Sequence, residues 1–146
     1  MRIAVLNGPN LNLLGTREPA IYGSTTLAQI ETRLRDVARE LGVEVECQQH
    51  NGEGALIDAI QALRGKADAA IINAGAYSHT SLAIRDAFAA VEVPFVEVHL
   101  TNIFAREPER RHSTLASGAR AVLCGFGAVG YELALRGLAA TPPSRV

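Results

Sequence analysis

The sequence predicts an α/β domain, a parallel sheet with helices on both faces. Three observations point there. Short apolar runs alternate with segments whose apolar residues recur at helical spacing. The length, 146 residues, suits one domain able to bury most of its apolar surface. One helical segment carries its own start and stop signals, a capping box at Thr26 and Gln29 and a terminating Gly42.

The elements follow in order. Residues 3–6 read as the first strand, ended by Asn7-Gly8-Pro9-Asn10. Leu27, Ile30, Leu34, Val37 and Leu41 mark the first helix, and 43–49 the second strand. After the turn-rich His50-Asn51-Gly52, the residues Leu56, Ile57, Ile60 and Leu63 mark the second helix. Residues 69–74 read as the third strand and 82–91 as the third helix. Pro94 precedes the fourth strand, 95–100, and a polar, arginine-rich stretch covers 101–117. Residues 121–124 form the fifth strand and 131–138 the last helix, with 141–146 expected to be loose. Right-handed crossovers leave few topologies for this pattern. The preferred one is a flavodoxin-like three-layer sandwich, with a five-stranded parallel sheet in the order 2-1-3-4-5. Residues 1–146 are read as a single domain.

Composition narrows the function. Fourteen Lys and Arg against fifteen Asp and Glu give a net charge of −1, which argues against nucleic acid as a partner. No apolar run approaches the ~20 residues of a membrane span. The opening Met1-Arg2-Ile3-Ala4-Val5-Leu6-Asn7 turns polar too early for a secretory leader. Cys47 and Cys124 sit in apolar runs without metal spacing and read as reduced core residues. A cytoplasmic protein is therefore expected. Phosphate-loop, zinc-protease and G-x-S-x-G signatures are absent from the sequence. Asn7 and Asn73 stand where a phosphoacceptor of this topology would want aspartates. Lys66, the only lysine, precedes the third strand, at the wrong edge of the sheet for Schiff-base chemistry.

Ligands of such sheets sit outside the carboxyl ends of the strands. Asn7 and Asn10 follow the first strand. Asn73 and the run Ala74-Gly75-Ala76-Tyr77-Ser78-His79 follow the third. Glu97, His99, Thr101 and Asn102 end the fourth, and Gly125-Phe126-Gly127 follows the fifth. Glu97 and His99, two apart on one strand, share a face. A carboxylate beside an imidazole fixes its tautomer and makes a competent proton donor or acceptor. A structural pair at the strand rim is the alternative. His79 reads in isolation as a helix-start residue that satisfies nearby backbone, with part of an anion site as the functional alternative. Asp86, well inside its helix, reads in isolation as half of a surface ion pair. The connection 15–23 is either a lid or a solvated loop anchored by Tyr22, and the mixed-charge run 106–112 either a solvated face or a second lid or subunit contact.

With these residues in place, the sequence resembles the type II 3-dehydroquinate dehydratases along nearly its whole length. The likeness runs through Leu6-Asn7-Gly8-Pro9-Asn10-Leu11-Asn12-Leu13-Leu14-Gly15, Arg17-Glu18-Pro19 and Tyr22-Gly23. It continues in Asn51, Glu53-Gly54, Asn73-Ala74-Gly75-Ala76-Tyr77-Ser78-His79-Thr80-Ser81 and Ile84-Arg85-Asp86-Ala87. It closes with Glu97-Val98-His99-Leu100-Thr101-Asn102, Ala105-Arg106-Glu107, Arg110, His112-Ser113, Gly125-Phe126-Gly127 and Gly130-Tyr131. Ala74 stands where many members carry proline, and Gln49-His50 where serine often precedes the asparagine.

The resemblance implies reversible trans-dehydration of 3-dehydroquinate to 3-dehydroshikimate through an enolate, in the shikimate pathway or quinate catabolism, without metal or cofactor. It makes Tyr22 the base and His99 the acid, oriented by Glu97. Arg17 supports the tyrosinate, and Asn10 orients a water that stabilises the enolate. Asn73, His79 and Arg110 hold substrate hydroxyls, while Leu100 and Thr101 hold the carboxylate. Asp86 is expected to reach a neighbouring subunit's site in a homo-dodecamer, a tetramer of trimers. The chemistry is energetically consistent. A phenolate at pH 7 costs about 4 kcal/mol, and one guanidinium at ~4 Å offsets a similar amount at an effective dielectric near 20, a role open to Arg17 in the same loop as Tyr22, with Arg106 and Arg110 adding to the field. Without the resemblance, a noncatalytic module for a small anion and a purely structural subunit both remain open.

Overall fold

The computed structural model describes residues 1–16 and 18–144. Arg17, Arg145 and Val146 lie outside the described residues, so the expectations placed on Arg17 and on the last two residues of the tail are not addressed. The strands are β1 (Arg2–Asn7), β2 (Glu44–Gln49), β3 (Ala69–Asn73), β4 (Phe95–His99) and β5 (Ala121–Cys124). The helices are α1 (Pro19–Tyr22), α2 (Leu27–Leu41), α3 (Glu53–Gln61), α4 (Leu82–Val91) and α5 (Val129–Ala140). All strand pairings are parallel, as the alternating pattern predicts, and their order, β2-β1-β3-β4-β5, is the preferred flavodoxin-like one.

Local chemistry explains the helix bounds. The Thr26 side chain accepts from the Gln29 backbone N–H, the Gln29 side chain accepts from the Thr26 N–H, and Gly42 ends α2 in the left-handed region at φ 69°. Ser81 caps α4 by accepting from the Ile84 N–H at 3.0 Å. The helix α3 begins at Glu53, ahead of its first apolar marker, because its opening turn is largely exposed; the Glu53 carboxylate suits the positive end of the helix dipole. The last helix likewise begins earlier than the apolar spacing indicates, at Val129.

Two apolar layers clamp the sheet. Ile30, Leu34 and Val37 of α2 join Leu135 and Leu138 of α5 over Val5, Ile71 and Val98. Leu56, Ile60, Ile84 and Phe88 of α3 and α4 cover Leu6, Ile72 and Phe95 on the other face. Each fully buried side chain of this size contributes about 1.5–3 kcal/mol relative to exposure. One expectation is corrected. Cys47 and Cys124 are half-buried rather than core residues, because β2 and β5 are the outer strands and each is covered on one side only. Among the described residues no helix is long and apolar enough to cross a membrane.

The register aligns the carboxyl ends of the inner strands. Asn7 lies beside Asn73, and Ile72 beside Glu97. The chain after β1 is not a plain loop. It holds a 3-10 turn, Leu11–Leu13, and the single helical turn α1, which carries Tyr22.

Candidate active site

The central strands end under a tight crossing. The Gly8 N–H donates to the Asn73 carbonyl at 2.8 Å, and a Cβ at Gly8 would lie 2.5 Å from the Ala74 carbonyl oxygen. Only glycine lets the two connections approach this closely. Beyond it Asn10 adopts the left-handed region at φ 69°, held by its N–H donating to Asn51 Oδ1 at 3.0 Å. Asn51 is fixed in turn by Gln49 Nε2, which donates to the same oxygen at 3.0 Å, and by the Tyr77 hydroxyl, which donates to its carbonyl at 3.0 Å.

Asn73 is set from below. Its Nδ2 donates to the Tyr131 hydroxyl at 3.0 Å, and that hydroxyl donates to Asn7 Oδ1 at 2.5 Å. The Gly75 N–H donates to Asn73 Oδ1 at 3.1 Å. Burial pushes the Tyr131 phenol well above its ordinary pKa, so it stays a neutral donor. One phenol from α5 thus ties the ends of β1 and β3 and orients an amide of the cleft.

Glu97 and His99 do share a face, as strand alternation predicts, and both are buried. His99 Nε2 meets Glu97 Oε2 at 2.6 Å, and the Ser113 hydroxyl donates to Glu97 Oε1 at 2.6 Å. With Nε2 on the carboxylate, Nδ1 is the ring nitrogen left to serve the cleft. His79 lies against this pair, its ring stacked on His99 with centroids 6.0 Å apart. It forms a reciprocal lock with His112. His79 Nδ1 donates to the His112 carbonyl at 2.7 Å, and His112 Nε2 donates to the His79 carbonyl at 2.8 Å. Burial lowers the His79 pKa, opposed by the bond to His112 and reinforced by the nearby charges of His99, Arg110 and His112. His79 is therefore neutral at pH 7 and presents Nε2 as an acceptor.

Tyr22 arrives from the other side. Arg106 Nη1 donates to its hydroxyl at 3.0 Å, and the same guanidinium lies 5.3 Å from the ring centroid. Arg110 is held by Glu107, its Nε donating to Oε1 at 2.6 Å; hydrogen bonding and the two arginines keep the Glu107 carboxyl below its ordinary pKa.

One cleft collects Asn10, Tyr22, Asn73, His79, His99, Leu100, Thr101, Arg106 and Arg110 in its walls. Glu97 stands directly behind His99. Asp86 is not among the walls. It is exposed on the outer face of α4, one turn from Leu82, itself 60% exposed. Among the described residues no group of three or more His, Cys, Asp or Glu is placed to hold a metal ion.

The residues that brace the site were not singled out for that role by the sequence. Ser113 acts on Glu97 across 16 positions, and Asn51 on Asn10 across 41. Neither spacing is a helix or strand period. Arg106, expected only to add to a field at Tyr22 led by Arg17, instead donates directly to the Tyr22 hydroxyl.

Known proteins resemble this chain in sequence and in fold. A family model described as dehydroquinase class II matches residues 1–139. The 3-dehydroquinate dehydratase of Gemmatimonas aurantiaca is 63% identical over 138 residues, covering 94% of this chain and 91% of that protein. Catabolic 3-dehydroquinase 2 of Aspergillus flavus is 55% identical over 134 residues, covering 92% and 89%. The crystal structure of type II dehydroquinase from Propionibacterium acnes matches at a TM-score of 0.91 and 43% identity, over 95% of this chain and 96% of that one.

Proposed function

We propose, for a chain that belongs to the class II dehydroquinase family and is a hydro-lyase acting on 3-dehydroquinate, that Tyr22 and His99 divide the reaction as base and acid. The observation that carries this reading is the pairing of each with a charged partner in one cleft, Tyr22 with Arg106 and His99 with Glu97.

In the first step the Tyr22 oxygen takes a proton from the carbon beside the substrate ketone. The carbon–hydrogen electron pair moves onto the carbonyl, giving an enolate. Arg106, joined by Arg17, stabilises negative charge on the phenol oxygen. A guanidinium suits this role because it stays protonated in a partly buried cleft. Asn10 orients a water toward the enolate oxygen. In the second step the enolate pair returns, the carbon–oxygen bond of the departing hydroxyl breaks, and the proton held by His99 goes to that oxygen. Water and 3-dehydroshikimate result.

The remaining walls hold the substrate. Asn73 and Arg110 donate to its hydroxyls, and His79, neutral with Nε2 as acceptor, receives one. The Leu100 backbone and the Thr101 hydroxyl and amide take the carboxylate. No cofactor or metal enters these steps. The product is a conjugated enone, so growth of its ultraviolet absorbance with purified protein and 3-dehydroquinate tests the reading. Absence of that signal under conditions where the protein is folded rejects it.

The chain is further proposed to work in the cytoplasm, a reading supported by its two unpaired thiols, and to serve either a biosynthetic or a catabolic route. A homo-dodecamer built from trimers is proposed, with Asp86 entering a neighbour's site. The exposed Leu82–Asp86 face of α4 supports this. Light scattering tests it, and a fully active monomer would exclude it.

A further inference from the structure

We propose that Ser113 is a positioning residue for the dehydration, forcing Glu97 to act as an acceptor and thereby setting which nitrogen of His99 carries the working proton. This rests on the reading of His99 as the acid. The argument is a count of donors and acceptors. A serine hydroxyl has one proton and two lone pairs. The Ser113 Oγ accepts from the backbone N–H of Leu115 and of Ala116, each at 3.1 Å. Both lone pairs are thereby used, and the one proton goes to Glu97 Oε1 at 2.6 Å. Glu97 Oε1 therefore receives a hydrogen bond, as a carboxylate oxygen does.

The other oxygen, Oε2, meets His99 Nε2 at 2.6 Å. An ionised carboxylate only accepts, so the hydrogen of this contact sits on Nε2. The neutral imidazole is then protonated at Nε2, and a second proton enters and leaves at Nδ1. The direction of the chain is fixed from the two backbone amides through Ser113 to Glu97 Oε1 by groups that cannot reverse, and the ionised form of Glu97 carries it on to the ring. Glu97 is fully buried, and without Ser113 its Oε1 would lose this partner. The carboxyl would then be free to turn, and the ring could take the other tautomer.

Four variants test this in the full chain: Ser113→Ala, Ser113→Cys, Glu97→Gln and the double variant Ser113→Ala with Glu97→Gln. Cysteine keeps the shape of serine but is a weak donor. Turnover of 3-dehydroquinate is compared with the rate of hydrogen–deuterium exchange at the carbon beside the ketone. Ser113→Ala and Ser113→Cys should each lower kcat by roughly tenfold or more, within the ~10²–10⁴-fold that general acid catalysis supplies. They should slow exchange less than turnover and leave KM within about twofold, a loss in kcat at nearly unchanged binding. In the Glu97→Gln background, removing the hydroxyl should change kcat by less than about twofold, as non-additivity along one chain of contacts requires. Normal kcat in a folded Ser113→Ala or Ser113→Cys protein overturns the proposal. So does an equal loss in both backgrounds, or equal damage to exchange and turnover, since a merely structural serine would give that result. If Glu97→Gln itself leaves turnover intact, the reading of His99 as the oriented acid fails instead.

Discussion

Arg106 Nη1 donates to the Tyr22 hydroxyl at 3.0 Å although the two residues stand 84 positions apart. The contact joins the short helix α1 to the arginine-rich connection after β4. A cation placed there faces the oxygen to which the proposed base role assigns negative charge.

Replacing the base should stop the chemistry without harming the fold. Tyr22 is only partly buried against the core, so Tyr22→Phe should keep its circular dichroism and melting temperature while losing at least a thousandfold in kcat. Arg106→Gln keeps a donor but no charge, and it should lose tenfold or more in kcat with a smaller change in KM. Turnover assays on both proteins check this. A Tyr22→Phe enzyme of normal rate would remove tyrosine from the base role.

The acid should separate from the base in its effect on the two steps. His99→Ala is expected to slow loss of the hydroxyl by about 10²–10⁴-fold and exchange beside the ketone by much less. Exchange followed by nuclear magnetic resonance, beside turnover followed by absorbance, reads the two rates. Equal losses would contradict a donor role for His99.

His79 should make stability fall in mild acid. Its native pKa is lowered from the ordinary 6.5, mainly by burial. Between the native and unfolded values the unfolded chain binds more protons, so stability rises with pH in that window. The contribution is complete above pH ~6.5 and is lost as the pH falls toward the native value. The urea midpoint of the natural chain should drop between neutral pH and pH ~5, and the drop should be smaller in His79→Asn. An identical slope in both proteins would show that another group is responsible.

Gly8→Ala probes the crossing beneath the site. Its new methyl would lie 2.5 Å from the Ala74 carbonyl oxygen, a backbone atom that cannot rotate away. Overpacking of this kind costs about 1–3 kcal/mol. Because Asn10 and Asn73 flank the crossing, KM should rise as well. Denaturant unfolding and substrate saturation measure both effects, and an unchanged midpoint would mean that the two connections are free to separate.

Much of the scaffold was legible because it is local. The Thr26–Gln29 box, the left-handed Gly42 and the bounds of α4 each follow from residues within a turn of one another. The Glu97–His99 pair was legible for the same reason, as two positions on one strand. The strand order came from the preference of such folds rather than from pairing energies, which no single segment displays. The braces were not legible. Ser113, Asn51 and Tyr131 act on Glu97, Asn10 and Asn73 only after the sheet has aligned its strand ends. Arg106 was legible as a charge adding to the field at Tyr22, yet its direct bond to the hydroxyl depends on how two irregular connections fold over each other.

The buried Tyr131 hydroxyl has a consequence for the birth of the protein. It belongs to α5, near the end of the chain, but it ties together the amides that terminate β1 and β3. A nascent polypeptide still short of that helix has already delivered every proposed catalytic side chain, yet lacks the clasp that orients Asn73. An ordered cleft should therefore arrive late and abruptly during synthesis, when the last helix clears the ribosome and folds back over the sheet.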